Sequence, residues 1–335
     1  MKRTIAEIFR PDRAALAPLA GVTDSVFRRI CVECGAIPVM TEMVSAEGYI
    51  RSLPGDKTAR LLRYKESERP IGFQLFGSRI ESMCGAADKA LELGPDFIDI
   101  NAGCPVKKVV SKGGGSALMR DPAHLENLVR AVTSVSTVPV TVKIRSGWDH
   151  GSINAVEVAK RCVDAGAGGI IVHPRPRSQG FSGKADWDVI RDVVEAVPVP
   201  VIGSGDIIEA ADVVRMIEST GAHSVMIGRA AMGDPWIFSR VRALFNGDIG
   251  WIEPDHAVRL DTALRHLDIL SEEVSERFAV LNMRKFFGWY SRGQRGGAVF
   301  RREVFTAETR EEVAAIVRKR QQELRDQEHI HSIEG

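Results

Sequence analysis

Short apolar runs alternate with helix-period segments over roughly the first 230 residues, and few architectures accommodate that pattern. The runs are Ala14–Ala17, Ile37–Thr41, Ile71–Phe76, Phe97–Asn101, Val138–Ile144, Gly169–His173, Val199–Gly203 and Ser224–Gly228. Between them lie segments such as Thr23–Cys34, Ile80–Leu93, Pro122–Val135, Ile153–Ala165, Trp187–Ala196 and Glu209–Ser219. Thr23 before Asp24, and Asp121 before Pro122, supply helix caps. Strands that are apolar on both faces and separated by helices imply a parallel sheet covered on both sides. Eight such units in a chain of 335 residues predict a (β/α)8 TIM barrel. A doubly wound open sheet is the competing arrangement.

A barrel places its reactive groups at the C-terminal ends of its strands, and the polar residues fall there. Pro18-Leu19-Ala20-Gly21 follows the first run and Glu42 the second; Gln74 lies in the third. Asn101 and Cys104 close the fourth run, Lys143 and Arg145 the fifth, His173 and Arg175 the sixth. Ser204-Gly205-Asp206 and Gly228-Arg229 close the last two in glycine turns that open helices, an arrangement suited to a phosphate. Arg229 would add a charge-assisted bond to that phosphate. Lys143 stands among Val140, Val142 and Ile144, so its ammonium needs a partner in the mouth: a cofactor atom or a Schiff base. His173, with Arg175 and Arg177 beside it, fits an anionic or nucleobase ligand. Cys104 leaves its strand between Gly103 and Pro105, where a thiol can meet a substrate; otherwise it would be a small buried hydrophobe.

From about Glu253 the alternation stops, and Leu260, Leu264, Leu267 and Leu270 take a helical spacing. The expected organisation is a barrel at 1–245, an all-helical domain at 250–325 and a flexible tail at 326–335. Between Arg277 and Arg302 there is no Asp or Glu, while Arg284, Lys285, Arg292 and Arg295 interleave with Phe286, Phe287, Trp289 and Tyr290. Basic residues among aromatics suit an RNA backbone and its bases, although most of these aromatics are expected in the helical core. The net charge of +1 gives no overall pull toward nucleic acid, so any attraction is local. Five cysteines without a regular framework fit a reducing cytoplasm. Cys31 and Cys34 lack a second pair, so they are expected to pack a helix and no metal site is expected. No run of about 18 apolar residues suggests a membrane span.

The segments PLAGVTD at 18–24, FQLFG at 73–77, INAGCPV at 100–106, VKIRSG at 142–147, HPRPRSQGFSGKADWD at 173–188, GSGDI at 203–207 and MIGRAAMGDPWIF at 226–238 together resemble the tRNA dihydrouridine synthases. MRKFFGWY at 283–290 is similar to the bacterial B-type branch. The resemblance spans nearly the whole chain. It implies FMN at the strand ends, NADPH as reductant and tRNA as substrate, handled by a cytoplasmic enzyme expected to be monomeric. It implies that Pro18, Leu19 and Ala20 line the flavin ring, with Gln74 and Lys143 at its polar edge and His173 nearby. Ser204, Gly205, Asp206, Gly228 and Arg229 would hold its ribityl-phosphate side. Cys104 would be the proton donor and Asn101 would help position uracil or flavin. From their places at the strand ends, Arg145, Arg175 and Arg177 are expected to face substrate. The chain departs from the family at Leu19, Ala102, Ser204, Pro174, Pro176 and Phe181; Ser204 keeps a hydroxyl donor but has a shorter reach than asparagine. Two other readings compete: a flavin barrel acting on a free small molecule, as in the dihydroorotate dehydrogenases, and an RNA-binding regulatory protein without turnover.

Overall fold

The computed structural model describes residues 3–334, with side chains described to residue 326. The chain forms two compact units. One runs to Arg229 and takes up Phe238–Gly247; the other is Ala230–Ile237 together with the chain from Asp248.

The first unit is a parallel barrel. Its strands are β1 (Ala14–Leu16), β2 (Val39–Met40), β3 (Val44–Ser45), β4 (Ile71–Phe76), β5 (Phe97–Ala102), β6 (Val140–Arg145), β7 (Gly169–His173), β8 (Val201–Ser204) and β9 (Ser224–Ile227). They pair in the order β1-β9-β8-β7-β6-β5-β4-β2, all parallel, with β3 also on β4. Ile37 N–H donates to Ala14 O and Leu16 N–H to Pro38 O, both at 3.0 Å, which closes the ring between β1 and β2. The open sheet is thereby excluded.

Proline sets where four of these strands begin. Pro38, Pro70, Pro139 and Pro200 each directly precede β2, β4, β6 and β8. Proline has no N–H to give to a ladder, so the fifth and seventh runs start two residues later than their apolar pattern suggests. Their carbonyls still accept, from Leu16, Val39, Ile98 and Ile170. The second run supplies only β2; β3 lies beyond it, and the gap between the two pieces has another cause. Gln74 N–H donates to the Thr41 hydroxyl at 3.1 Å, and that side-chain bond opens the ladder between the two pieces.

A helix too short to show a periodicity, Ile5–Ile8, plugs the N-terminal end of the barrel. Thr4 and Glu7 form its capping box. Ile5, Ile8 and Phe9 are buried with Ala15, Met40, Phe97, Ile171, Ile202 and Met226, each large side chain contributing about 1.5–3 kcal/mol of burial. Asp24, not Thr23, caps the helix Ser25–Glu33, accepting from Phe27 N–H at 2.9 Å. The Thr23 hydroxyl instead accepts from Leu19 N–H at 2.9 Å and fixes the loop after β1. Cys31 is buried on this helix and Cys34 ends it.

The second unit is helical: His256–Glu273, Glu276–Tyr290, Gly297–Thr306 and Arg310–Glu334. Leu260, Leu267, Met283, Phe286, Phe287, Tyr290, Phe300, Val304 and Val317 make its core. The tail expected at 326–335 continues the last helix to Glu334, because this stretch holds no proline or internal glycine to stop it; Gly335 lies outside the described residues. Among the described residues no helix is long and apolar enough to cross a membrane.

Candidate active site

The strands of a closed barrel send alternate side chains inward, and the register here brings polar groups together at the C-terminal end. Gln74 pairs with Asp99 across β4 and β5, Asn101 with Lys143 across β5 and β6, and Arg145 with His173 across β6 and β7. Asp99 is fully buried, accepting from Thr141 Oγ1 at 2.6 Å and from Gln74 Nε2 at 2.7 Å. Gln74 Oε1 accepts from Asn101 Nδ2 at 2.8 Å. Asn101 Oδ1 in turn accepts the backbone N–H of Cys104 at 2.9 Å and of Gly103 at 3.2 Å. The loop that carries the thiol is thus hung from the barrel interior.

Cys104 is half-buried. Burial pushes its thiol above the ordinary range, and a backbone hydrogen bond from Val106 with the charges of Arg145 and Lys143 only partly offsets this. The thiol is therefore protonated at neutral pH. Its carbonyl accepts from Ser116 N–H at 3.1 Å and Ser116 Oγ at 3.0 Å. Gly115, at φ +58°, lies so close that a Cβ would stand 2.7 Å from that same oxygen.

Lys143 is half-buried and makes no hydrogen bond or salt bridge to any described residue. Burial and the neighbouring Arg145 pull its ammonium down, while Asp99 and Cys104 act the other way. An unpartnered amine beside a protonated thiol is a donor set prepared for an acceptor-rich group.

His173 is neutral. Burial, joined by Lys143, Arg145, Arg175 and Arg229, pulls it to about 2. Arg175 Nη1 lies 3.3 Å from Nε2; a guanidinium only donates, so Nε2 accepts and Nδ1 carries the proton. Phe181 stacks on the imidazole with centroids 6.0 Å apart.

Two arginines expected to face substrate do not. Arg145 is 2% exposed, and its guanidinium donates to the carbonyls of Gly103, Pro176 and Gly180. Arg175 is 1% exposed and donates to Asp206 at 2.6 and 2.8 Å and to the carbonyls of Ser182 and Gly183. Both are clasps that bind the loop after β7 to the barrel. Arg177 is half-buried, its guanidinium 4.7 Å from the Trp148 ring centroid, with Arg120 at 4.8 Å over the same ring. This pair of guanidiniums on an indole was not apparent in sequence.

Pro18 and Leu19 are half-buried at the mouth and Ala20 is exposed; Glu42 accepts from Gly21 N–H and steadies their loop. Across the mouth, Gly205 adopts φ +113°, where a Cβ would meet the His173 ring at 2.7 Å. Asp206 follows at φ 54°, held by Arg175 and Ala185 N–H. Burial raises the Asp206 carboxyl, but these bonds and Arg229 outweigh it and hold it low. Arg229 lies 3.6 Å from Asp206 and over Phe181 with its side chain half exposed. Gly228 presents bare backbone toward Ala17 and Leu19. The fit to FMN is therefore good: an unpartnered ammonium and buried amides on one side, and two glycine turns with an accessible guanidinium on the other. Among the described residues no three His, Cys, Asp or Glu groups could hold a metal ion.

The model of the family described as dihydrouridine synthase (Dus) matches residues 15–328. The chain belongs to that family. It is 40% identical over 297 residues to a probable tRNA-dihydrouridine synthase 1 of Synechocystis, covering 88% of this chain and 82% of that protein. It is 39% identical over 289 residues to tRNA-dihydrouridine synthase B of Pseudomonas putida, covering 85% and 84%. Among solved structures, a histamine dehydrogenase from Rhizobium is similar in fold alone, with a TM-score of 0.56 and 15% identity, over 76% of this chain and 49% of that one.

In the helical unit, Arg292 and Arg295 are exposed on the segment between Glu276–Tyr290 and Gly297–Thr306. Arg284 is half-buried and donates to Ala307 O, and Lys285 donates to Asn282. Of the four, the first two present free guanidiniums to solvent.

Proposed function

We propose that this dihydrouridine synthase reduces uridine in tRNA to 5,6-dihydrouridine, with NADPH as the reductant and Cys104 as the acid. Saturating the C5–C6 bond of uracil requires a hydride at C6 and a proton at C5. FMN bound at the strand ends would supply hydride chemistry. Cys104 delivers the proton from Sγ to C5, and the observation that carries this role is a half-buried thiol, pushed up by burial, on a loop fixed by Asn101 and Ser116. Lys143 and Gln74 would hold the polar edge of the flavin, and Gly205, Gly228 and Arg229 its phosphate. His173, locked neutral with Nδ1 protonated, offers a hydrogen-bond donor that does not compete as an acid. Pro18, Leu19 and Ala20 would line the flavin ring as an apolar wall.

A uridine inside folded tRNA must leave its stack to reach this mouth, so the RNA has to be gripped elsewhere. Arg292 and Arg295 of the helical unit, and Arg177 with Arg120 on Trp148, suit phosphate contacts. Nucleoside analysis of tRNA from a strain lacking this gene tests the reading. Loss of dihydrouridine from a subset of tRNAs is expected; an unchanged dihydrouridine content would contradict it.

A further inference from the structure

The hydrogen bonds that run from Asp99 to Cys104 have a direction, and both ends of the chain impose the same one. At the outer end, the N–H groups of Gly103 and Cys104 can only donate, so Asn101 must turn its Oδ1 toward them. That leaves Asn101 Nδ2 for Gln74, which must answer with Oε1. Gln74 Nε2 is then aimed into the barrel, where it needs an acceptor. Asp99 Oδ2 is that acceptor, and Thr141 Oγ1 holds the other carboxyl oxygen. Gln74, Asp99 and Thr141 are at most 1% exposed and Asn101 is 7% exposed, so the inner bonds of the chain are shielded from water.

We propose that Asp99 is a positioning residue for Cys104: it fixes the orientation of the Gln74 and Asn101 amides and so the placement of the thiol loop. A carboxyl in an apolar strand is costly unless it is paired, and no role in the reaction chemistry explains its presence. Burial pushes Asp99 upward, opposed by Thr141, Gln74 and Lys143. The arrangement tolerates protonation, because a proton on Oδ1 can be given to the Thr141 hydroxyl while Oδ2 still accepts from Gln74. By the same logic Asp99→Asn preserves the direction: its Oδ1 faces Gln74 and its NH2 faces Thr141, whose hydroxyl reverses. Asp99→Leu removes the acceptor and frees Gln74 to turn.

The test compares these two variants as purified holoenzyme. The rate of iodoacetamide modification at Cys104 is read by peptide mass, with Cys84 on an outer helix as internal control. This readout does not depend on turnover, so it stands apart from the assignment of Cys104 as the acid, on which the second arm rests. In Asp99→Leu the Cys104 rate should rise about tenfold, the factor expected for one buried hydrogen bond lost from the loop, with Cys84 unchanged. Asp99→Asn should restore the wild-type rate. In the second arm, Asp99→Leu should lower kcat for dihydrouridine formation while leaving KM for tRNA as it was. A wild-type Cys104 rate in Asp99→Leu, or an Asp99→Asn that behaves like it, would overturn the proposal. Should Asp99→Leu not fold, amide hydrogen exchange on the wild-type protein decides. The Gly103 and Cys104 N–H groups, which lie outside any strand, should be protected, and fast exchange at both would overturn it.

Discussion

Replacing Gly115 with alanine should damage the thiol loop through two separable costs. The first is conformational: at φ +58° a residue with a Cβ costs about 1–2 kcal/mol. The second is steric. The new methyl would lie 2.7 Å from the Cys104 carbonyl oxygen, 3.0 Å from Val109 Cγ1 and 3.1 Å from Cys104 Cβ. The carbonyl cannot retreat freely, because it accepts from both Ser116 N–H and Ser116 Oγ. Overpacking of this kind costs about 1–3 kcal/mol, giving a total of about 2–5 kcal/mol. The assay is urea unfolding, with Cys104 alkylation followed in parallel. Gly151→Ala is the control: its Cβ would meet only Asp149 Oδ1 at 3.5 Å, so the change should stay within about 0.5 kcal/mol. If Gly115→Ala matches wild type in both unfolding midpoint and Cys104 reactivity, the close approach that shapes this loop is wrong.

His173 should leave a signature on acid stability. The folded imidazole, pulled to about 2, takes no proton where the unfolded chain, near 6.5, does. Stability is therefore complete above the unfolded value and falls as pH drops below it, by about 1.4 kcal/mol per pH unit for one proton. His173→Gln should flatten that acid limb in denaturation curves taken between pH 6.5 and 4; an unchanged slope would mean His173 is already protonated when folded. Arg229→Ala should weaken FMN retention by about 1.5–3 kcal/mol, the value of a charged hydrogen bond, as read by flavin titration. Neutralising Arg292 and Arg295 together should weaken tRNA binding and flatten its salt dependence, while NADPH oxidation without RNA stays as it was.

Much of the barrel was legible because its signal is local. A buried parallel strand must be apolar on both faces, so β4 and β7 matched their apolar runs end to end. What local pattern missed was set by partners far along the chain. The break between β2 and β3 depends on a Thr41 hydroxyl meeting the Gln74 N–H, 33 residues away. Arg145 and Arg175 looked ligand-facing from their strand-end positions, yet carbonyls in the loop after β7 and the Asp206 carboxylate consume them. No spacing rule announces such partners. Asp99 did carry a signal, a charge at an inward position of an otherwise apolar run, and weighing the desolvation cost of that carboxylate would have drawn it into the site. Gly115 gave none beyond a glycine cluster, since the need for it lies in the distance to Cys104.

Whether Cys104 supplies the proton to uracil is decided by separating the two half-reactions of Cys104→Ala in stopped flow. Flavin absorbance is followed first with NADPH and then with tRNA lacking dihydrouridine. Bleaching by NADPH should proceed as in wild type, because that step needs no thiol proton. Reoxidation by tRNA should slow by about 10²–10⁴, the contribution of a positioned general acid, while Cys31→Ala and Cys162→Ala, both buried on outer helices, should turn over normally. Reoxidation by tRNA as fast in Cys104→Ala as in wild type would mean that the proton comes from another group.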